Sequence, residues 1–158
     1  MAQLKTNAMR ILDTNNIKYN VLTYDKKDGK IDGISVAQKI GKDPKVVYKT
    51  LVANGNSRDI FVFIIPVEEE LDLKKAAKVT GEKKVEMIHV KDINKHTGYI
   101  RGGCSPIGMK KSYPTFIDES ATTQGNIIVS GGKIGVQIEL SVCDLASITE
   151  GKLCDLKK

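Results

Sequence analysis

Two hydrophobic periods alternate along the chain. Residues 5–16 carry Ala8, Ile11 and Leu12 on one helical face, with Leu4 just ahead, and predict an amphipathic helix ended by Asn15-Asn16. Residues 19–24 alternate with period two and predict a short strand. Residues 25–33 are charged, contain glycine and predict a mobile surface loop. Ser35 opens a second helix through a capping box with Gln38, and Gly41 closes it. Asp43-Pro44 begins a further helical turn. Residues 47–53 and 60–66 predict two strands, with the hairpin signal Asn54-Gly55 between them. Asp72 caps a helix through Lys78 that Gly81 stops, residues 85–88 predict a strand, and residues 91–96 a short helix ending at Gly98.

Residues 98–114 are rich in glycine, proline and lysine and form a long loop of the kind that is usually functional or disordered. Three more strands follow at 115–118, 127–130 and 136–140, with Ser130-Gly131-Gly132-Lys133 as the last hairpin turn and a closing helix at 141–148. Hairpins mixed with scattered helices predict one α+β domain rather than strict βαβ alternation.

Composition narrows the classes. A length of 158 residues suits a single domain, and 41% hydrophobic with 28% mixed-sign charged residues excludes a disordered chain. No apolar run approaches the ~18 residues of a membrane helix, and residues 1–5 carry no apolar signal core, so the expected location is the cytoplasm. Basic residues exceed acidic ones by 25 to 19, a net of +6, which suits a polyanionic partner such as nucleic acid but also serves solubility.

Cys104, Cys143 and Cys154 form no CxxC pair and read as reduced thiols, with Cys143 in the core and Cys154 exposed in a polar tail. His89 and His96 lie outside any HExxH motif, so no metal site is expected. Glu68-Glu69-Glu70 and Lys83-Lys84 read as solvated faces.

Two places could carry chemistry. Lys49, at the start of a buried strand, could bind phosphate or carboxylate or serve as a base, although an outward lysine on an alternating strand is the simpler reading from spacing alone. Gly102-Gly103-Cys104-Ser105-Pro106 could form an anion-binding nest of backbone N–H groups, or a plain turn. Neither a Walker loop nor GxGxxG is present, and Cys104 has no histidine near it in sequence to make it a nucleophile.

Six pieces in order resemble one known family. They are Val47-Tyr48-Lys49-Thr50-Leu51, Leu71-Asp72-Leu73-Lys74-Lys75, Lys83-Lys84-Val85-Glu86-Met87, Thr97-Gly98-Tyr99 with Gly102-Gly103-Cys104-Ser105-Pro106-Ile107-Gly108, Pro114-Thr115-Phe116-Ile117-Asp118, and Ser130-Gly131-Gly132-Lys133. Over about residues 6–146 the chain resembles the YbaK/EbsC family of free-standing aminoacyl-tRNA deacylases, relatives of the editing domain in bacterial prolyl-tRNA synthetases. The resemblance implies one domain over residues 1–158: a mixed, mostly antiparallel sheet curled toward a barrel, with helices around it. It implies hydrolysis of cysteinyl-tRNA for proline without metal or organic cofactor. The partners it implies are the acceptor end of that tRNA and a complex with prolyl-tRNA synthetase. Cysteine and proline have similar bulk, and a difference of ~1–3 kcal/mol in a synthetase pocket discriminates only ~10–200-fold, so a separate editing site is needed.

By matching motif, Lys49 is the family's functional lysine, expected to hold the terminal nucleotide by charge-assisted hydrogen bonds, and Thr50 orients the same end. Tyr24 matches a tyrosine lining the family pocket, and Ser130 a serine at its rim. Gly102 and Gly103 would offer N–H groups to the ester carbonyl as oxyanion charge develops, and Pro106 completes and stiffens the Gly-x-x-x-Pro loop. In the cysteine-specific subgroup the substrate's own thiol is thought to attack its ester, which fits the lack of a catalytic triad and leaves Cys104 without a required role.

Two residues depart from the pattern. Gln137 stands where the family commonly has aspartate, which opens the amino-acid preference, and Cys104 stands where an aliphatic residue is usual. The alternatives are a deacylase for another small amino acid such as alanine, and a non-catalytic regulatory module that binds tRNA or a synthetase.

Overall fold

A computed structural model gives the fold of residues 5–158; Leu4 lies outside the described residues. Helix α1 (Asn7–Thr14) starts where the Thr6 side chain accepts from the Met9 N–H, and it buries Ala8, Met9 and Leu12. Strand β1 (Asn20–Thr23) and helix α2 (Gly33–Lys39) follow, then a short 3-10 turn at Pro44–Val46. The long hairpin of β2 (Tyr48–Gly55) and β3 (Ile60–Pro66) leads to α3 (Leu73–Thr80), β4 (Val85–Met87) and α4 (Ile93–Thr97). After the glycine-rich loop come β5 (Thr115–Asp118), β6 (Asn126–Lys133), β7 (Val136–Ser141), α5 (Val142–Thr149) and β8 (Lys152–Cys154).

The strands form two sheets. One has the order β1-β7-β6 and is antiparallel throughout; the other has the order β4-β2-β3-β5-β8, antiparallel from β4 to β3 and parallel from β3 to β8. They meet at a parallel bridge between Val47 and Ile128, which curls the whole into an open, mostly antiparallel wall. Helices α1 and α5 cover one apolar cluster, including Leu12, Ile117, Ile127, Ile138 and Leu145. Helix α3 covers another, where Phe63 and Phe116 stack with ring centroids 5.6 Å apart. No helix among the described residues is long and apolar enough to cross a membrane.

Several local expectations move. The N-cap of α2 is Asp32, not Ser35: its carboxylate accepts from the Ser35 N–H at 3.1 Å and from the Ser35 hydroxyl at 2.7 Å. The β2–β3 tip lies one step beyond Asn54-Gly55, because Gly55 stays paired to Asp59 and Arg58 takes the left-handed conformation, with φ 72°. The segment Ser130–Lys133 is a bulged continuation of β6, and the turn falls at Ile134-Gly135. Cys143 is exposed, because α5 turns Val142 and Leu145 inward and the residue after Val142 faces about 100° away. Cys154 is half-buried in β8 rather than free in a tail.

Candidate functional site

The bridge between the sheets builds the site. Val47 and Ile128 run in parallel, so two residues further on Lys49 and Ser130 advance side by side on β2 and β6. Ser130 is in turn the cross-strand partner of Gln137, whose other partner is Leu22 on β1. A row of polar residues thus crosses the seam between the sheets. Lys49, Thr50, Gly102, Cys104, Ser130 and Gln137 line an inner pocket of about 110 Å³. It shares Ile31, Gly33, Lys49, Val67 and Gly102 with an outer cleft of about 720 Å³ that Arg101 and Asp32 also line. The outer volume falls in the range of ordinary ligand clefts, ~300–1,000 Å³, while the inner one admits only a small group.

The pocket is poor in counter-charges. Burial pushes the Lys49 ammonium below its usual range, with Glu70 and Glu69 pulling it back in part. Lys49 makes no ion pair among the described residues. The Thr50 hydroxyl is buried without a hydrogen-bond partner among the described residues. The Cys104 thiol points at the Thr97 hydroxyl 4.0 Å away, and burial pushes it up to about 11, so it stays protonated and unreactive near pH 7.

The glycine loop has a specific shape. Gly102 has φ 86°, and a Cβ there would lie 2.7 Å from Ile31 Cδ1. A Cβ on Gly103 would lie 2.9 Å from the Ile134 backbone nitrogen, so this residue seats the loop on the β6–β7 turn. The Gly103 N–H already donates to the Ile100 carbonyl at 2.9 Å and is not free for an oxyanion. Those of Gly102 and Cys104, both at the pocket, donate to no acceptor among the described residues.

Of the residues named from sequence, Lys49, Thr50, Gly102, Ser130 and Gln137 come together at the pocket. Gly103 and Pro106 do not line it. Pro106 is buried and borders a separate cavity behind the loop, which makes it a support rather than a contact. Tyr24 lies beyond the end of β1, buried, with its hydroxyl unpartnered among the described residues, and it borders a groove with Lys133 and Gly135. Sequence reading missed Ile31 and Arg101. Ile31 sits in a segment that reads as a loose loop, and no motif marks either residue. Among the described residues no three His, Cys, Asp or Glu side chains gather as metal ligands.

Residues 33–148 match the model of the aminoacyl-tRNA editing domain. A curated relative from Enterococcus faecalis, provisionally named a Cys-tRNA(Pro)/Cys-tRNA(Cys) deacylase, EbsC, is 46% identical over 98% of this chain and 94% of its own. A crystal structure of a candidate trans-editing enzyme for prolyl-tRNA synthetase superposes with a TM-score of 0.83 at 23% identity, covering 99% of each chain. That of a hypothetical protein superposes with a TM-score of 0.88 at 18% identity, covering 97% of this chain and 100% of its own. At these identities the two structural likenesses speak for the fold.

Proposed function

Because the chain belongs to the aminoacyl-tRNA editing domain family, we propose that it clears cysteine wrongly esterified to the tRNA for proline. The observation that carries this reading is the make-up of the inner pocket. Among the described residues it offers a cation at Lys49, an unpartnered hydroxyl at Thr50 and free N–H groups at Gly102 and Cys104, but no imidazole or carboxylate to activate water. Such a pocket suits a substrate that brings its own nucleophile.

In this mechanism the outer cleft takes the terminal adenosine, and Lys49 donates to its phosphate or ribose oxygens. The cysteinyl group enters the inner pocket, where space forces it to fold back. Its sulfur attacks its own carbonyl carbon, the carbon–oxygen bond to the ribose breaks, and a cyclic thiolactone leaves. The thiol proton ends on the freed ribose oxygen. Holding thiol and carbonyl together supplies up to ~7–11 kcal/mol, and the Gly102 and Cys104 N–H groups meet the developing oxyanion.

Single-turnover deacylation of cysteinyl- and alanyl-tRNA for proline, with Lys49→Ala alongside, tests this. The expected result is fast cysteine release that Lys49→Ala abolishes while remaining folded. Alanine release without cysteine release would overturn thiol attack and move the substrate. Gln137, a buried neutral amide at 6% exposure, favours the second reading, a module that binds tRNA or a synthetase without turnover; release of neither amino acid would select it. A complex with prolyl-tRNA synthetase, formed with tRNA present at low salt, would supply the tRNA selectivity that one small domain lacks.

A further inference from the structure

The segment between β1 and α2, expected to be mobile, is fastened by a single side chain. Lys39, at the end of α2, sends its ammonium into this loop and donates to the Asp25 carbonyl at 2.7 Å, the Asp28 carboxylate at 2.7 Å and the Lys30 carbonyl at 3.0 Å. Three acceptors use the full donor capacity of an ammonium. The same nitrogen stands 5.9 Å from the centre of the Tyr24 ring.

The loop is wound tightly around it. Asp25 accepts from the Lys27 N–H, Asp28 from the Lys30 N–H, and Gly29, at φ 75°, donates back to the Lys26 carbonyl. Residues 25–30 are all exposed and bury no apolar side chain, so packing contributes little to their placement.

The residue that follows is Ile31. It walls both the inner pocket and the outer cleft, and its Cδ1 lies where any side chain on Gly102 would collide. Its main chain is anchored from the loop side by the bond from its N–H to the Gly29 carbonyl, 3.1 Å. A clasp on residues 25–30 therefore fixes a wall of the site.

We propose that Lys39 is a positioning residue: its ammonium holds the 25–30 loop closed so that Ile31 completes the wall shared by pocket and cleft. The inference rests on the proposed function only for what the site receives. With the clasp released, the closed loop becomes a fraction of the population, and apparent substrate affinity falls by that fraction. The substrate re-forms the wall when it binds, so the rate at saturation is kept.

Lys39→Met keeps the aliphatic stem and removes the donors; Lys39→Arg keeps charge and donors. Limited trypsin digestion, read by mass spectrometry at Lys26, Lys27 and Lys30, reports opening directly. We expect Lys39→Met to be cut there about 5–30-fold faster than wild type, Lys39→Arg close to wild type, and cuts elsewhere unchanged apart from the site at 39 that the methionine removes. In single-turnover deacylation of Cys-tRNA(Pro), the enzyme concentration for half-maximal rate should rise in Lys39→Met at an unchanged saturating rate.

Wild-type cutting in Lys39→Met would overturn the proposal, as would equal acceleration across the whole chain. So would a lower saturating rate at unchanged half-saturation. If the wild type releases no amino acid, the proposed function falls, and the digest alone still decides the clasp.

Discussion

Gln137 stands directly across from Ser130 on the antiparallel pair of β7 and β6, and both side chains border the pocket that Lys49 enters. The row therefore carries one cation and no counter-charge of its own. Gln137→Asp supplies one. A carboxylate here attracts both the Lys49 ammonium and the α-ammonium of an aminoacyl group. Single-turnover cysteine release should rise several-fold near pH 7. The free protein should melt lower, because a carboxylate at so buried a position finds too few donors, a cost of about 1–3 kcal/mol. Slower release by Gln137→Asp would mean that the amide itself makes the productive contact.

Lys49 and Thr50 should show the signature of residues kept for binding rather than for the fold. Among the described residues the half-buried Lys49 charge has no ion pair and the buried Thr50 hydroxyl has no partner. Lys49→Met and Thr50→Val should each leave the protein as stable or raise its stability by about 0.5–2 kcal/mol while deacylation is lost or reduced. Urea unfolding beside the kinetic assay checks this. A clear fall in stability for both would make them structural residues.

The expected bounds of β3 and β5, 60–66 and 115–118, coincide with the strands, because dense β-branched and aromatic runs between turn residues leave little choice. Strand β8 was not legible. Lys152-Leu153-Cys154 has no period, and it pairs only because β5 offers an open edge and the Asp118 carboxylate accepts from the Leu156 N–H at 3.0 Å. The site was legible as motif residues but not as an assembly. Lys49, Gly102 and Gln137 lie far apart in sequence, and the Val47–Ile128 bridge that gathers them leaves no local pattern. Local reading of the loop at 25–33 takes its charges as the mark of a surface segment and has no means to show that one of them, Asp28, meets Lys39.

The paired glycines should fail for different reasons. Gly103→Ala pushes a Cβ to 2.9 Å from the Ile134 backbone nitrogen, which has no rotamer to give, so it should lose about 1–3 kcal/mol of stability. Gly102→Ala meets the tip of Ile31, which can swing away, but at φ 86° it is strained by about 1–2 kcal/mol. That swing opens the wall of the pocket, so Gly102→Ala should also weaken substrate affinity. Thermal melts paired with half-saturation values separate the two. Equal affinity loss in both would refute the division.

The thiols give a pH test with a definite sign. Burial raises Cys104 from 9.0 to about 11, and Tyr99, buried beside it, from 10.0 to about 12. Cys154, half-buried near Asp118 and Glu119, also rises to about 11. In each case the folded protein keeps a proton that the unfolded chain gives up, so the stabilising contribution of the two thiols is whole below pH 9 and is lost as pH climbs through about 11, and that of Tyr99 is whole below pH 10 and is lost through about 12. While one group is ionised only in the unfolded chain, stability should fall by up to about 1.4 kcal/mol per pH unit for that group. Urea midpoints measured upward from pH 8 should show the decline, and Cys104→Ala should flatten it. At pH 8 iodoacetamide should modify exposed Cys143 quickly and Cys104 only after unfolding. Rapid labelling of Cys104 in the native protein would show a pocket open enough for its thiol to meet a substrate, and the thiol would then return as a candidate nucleophile.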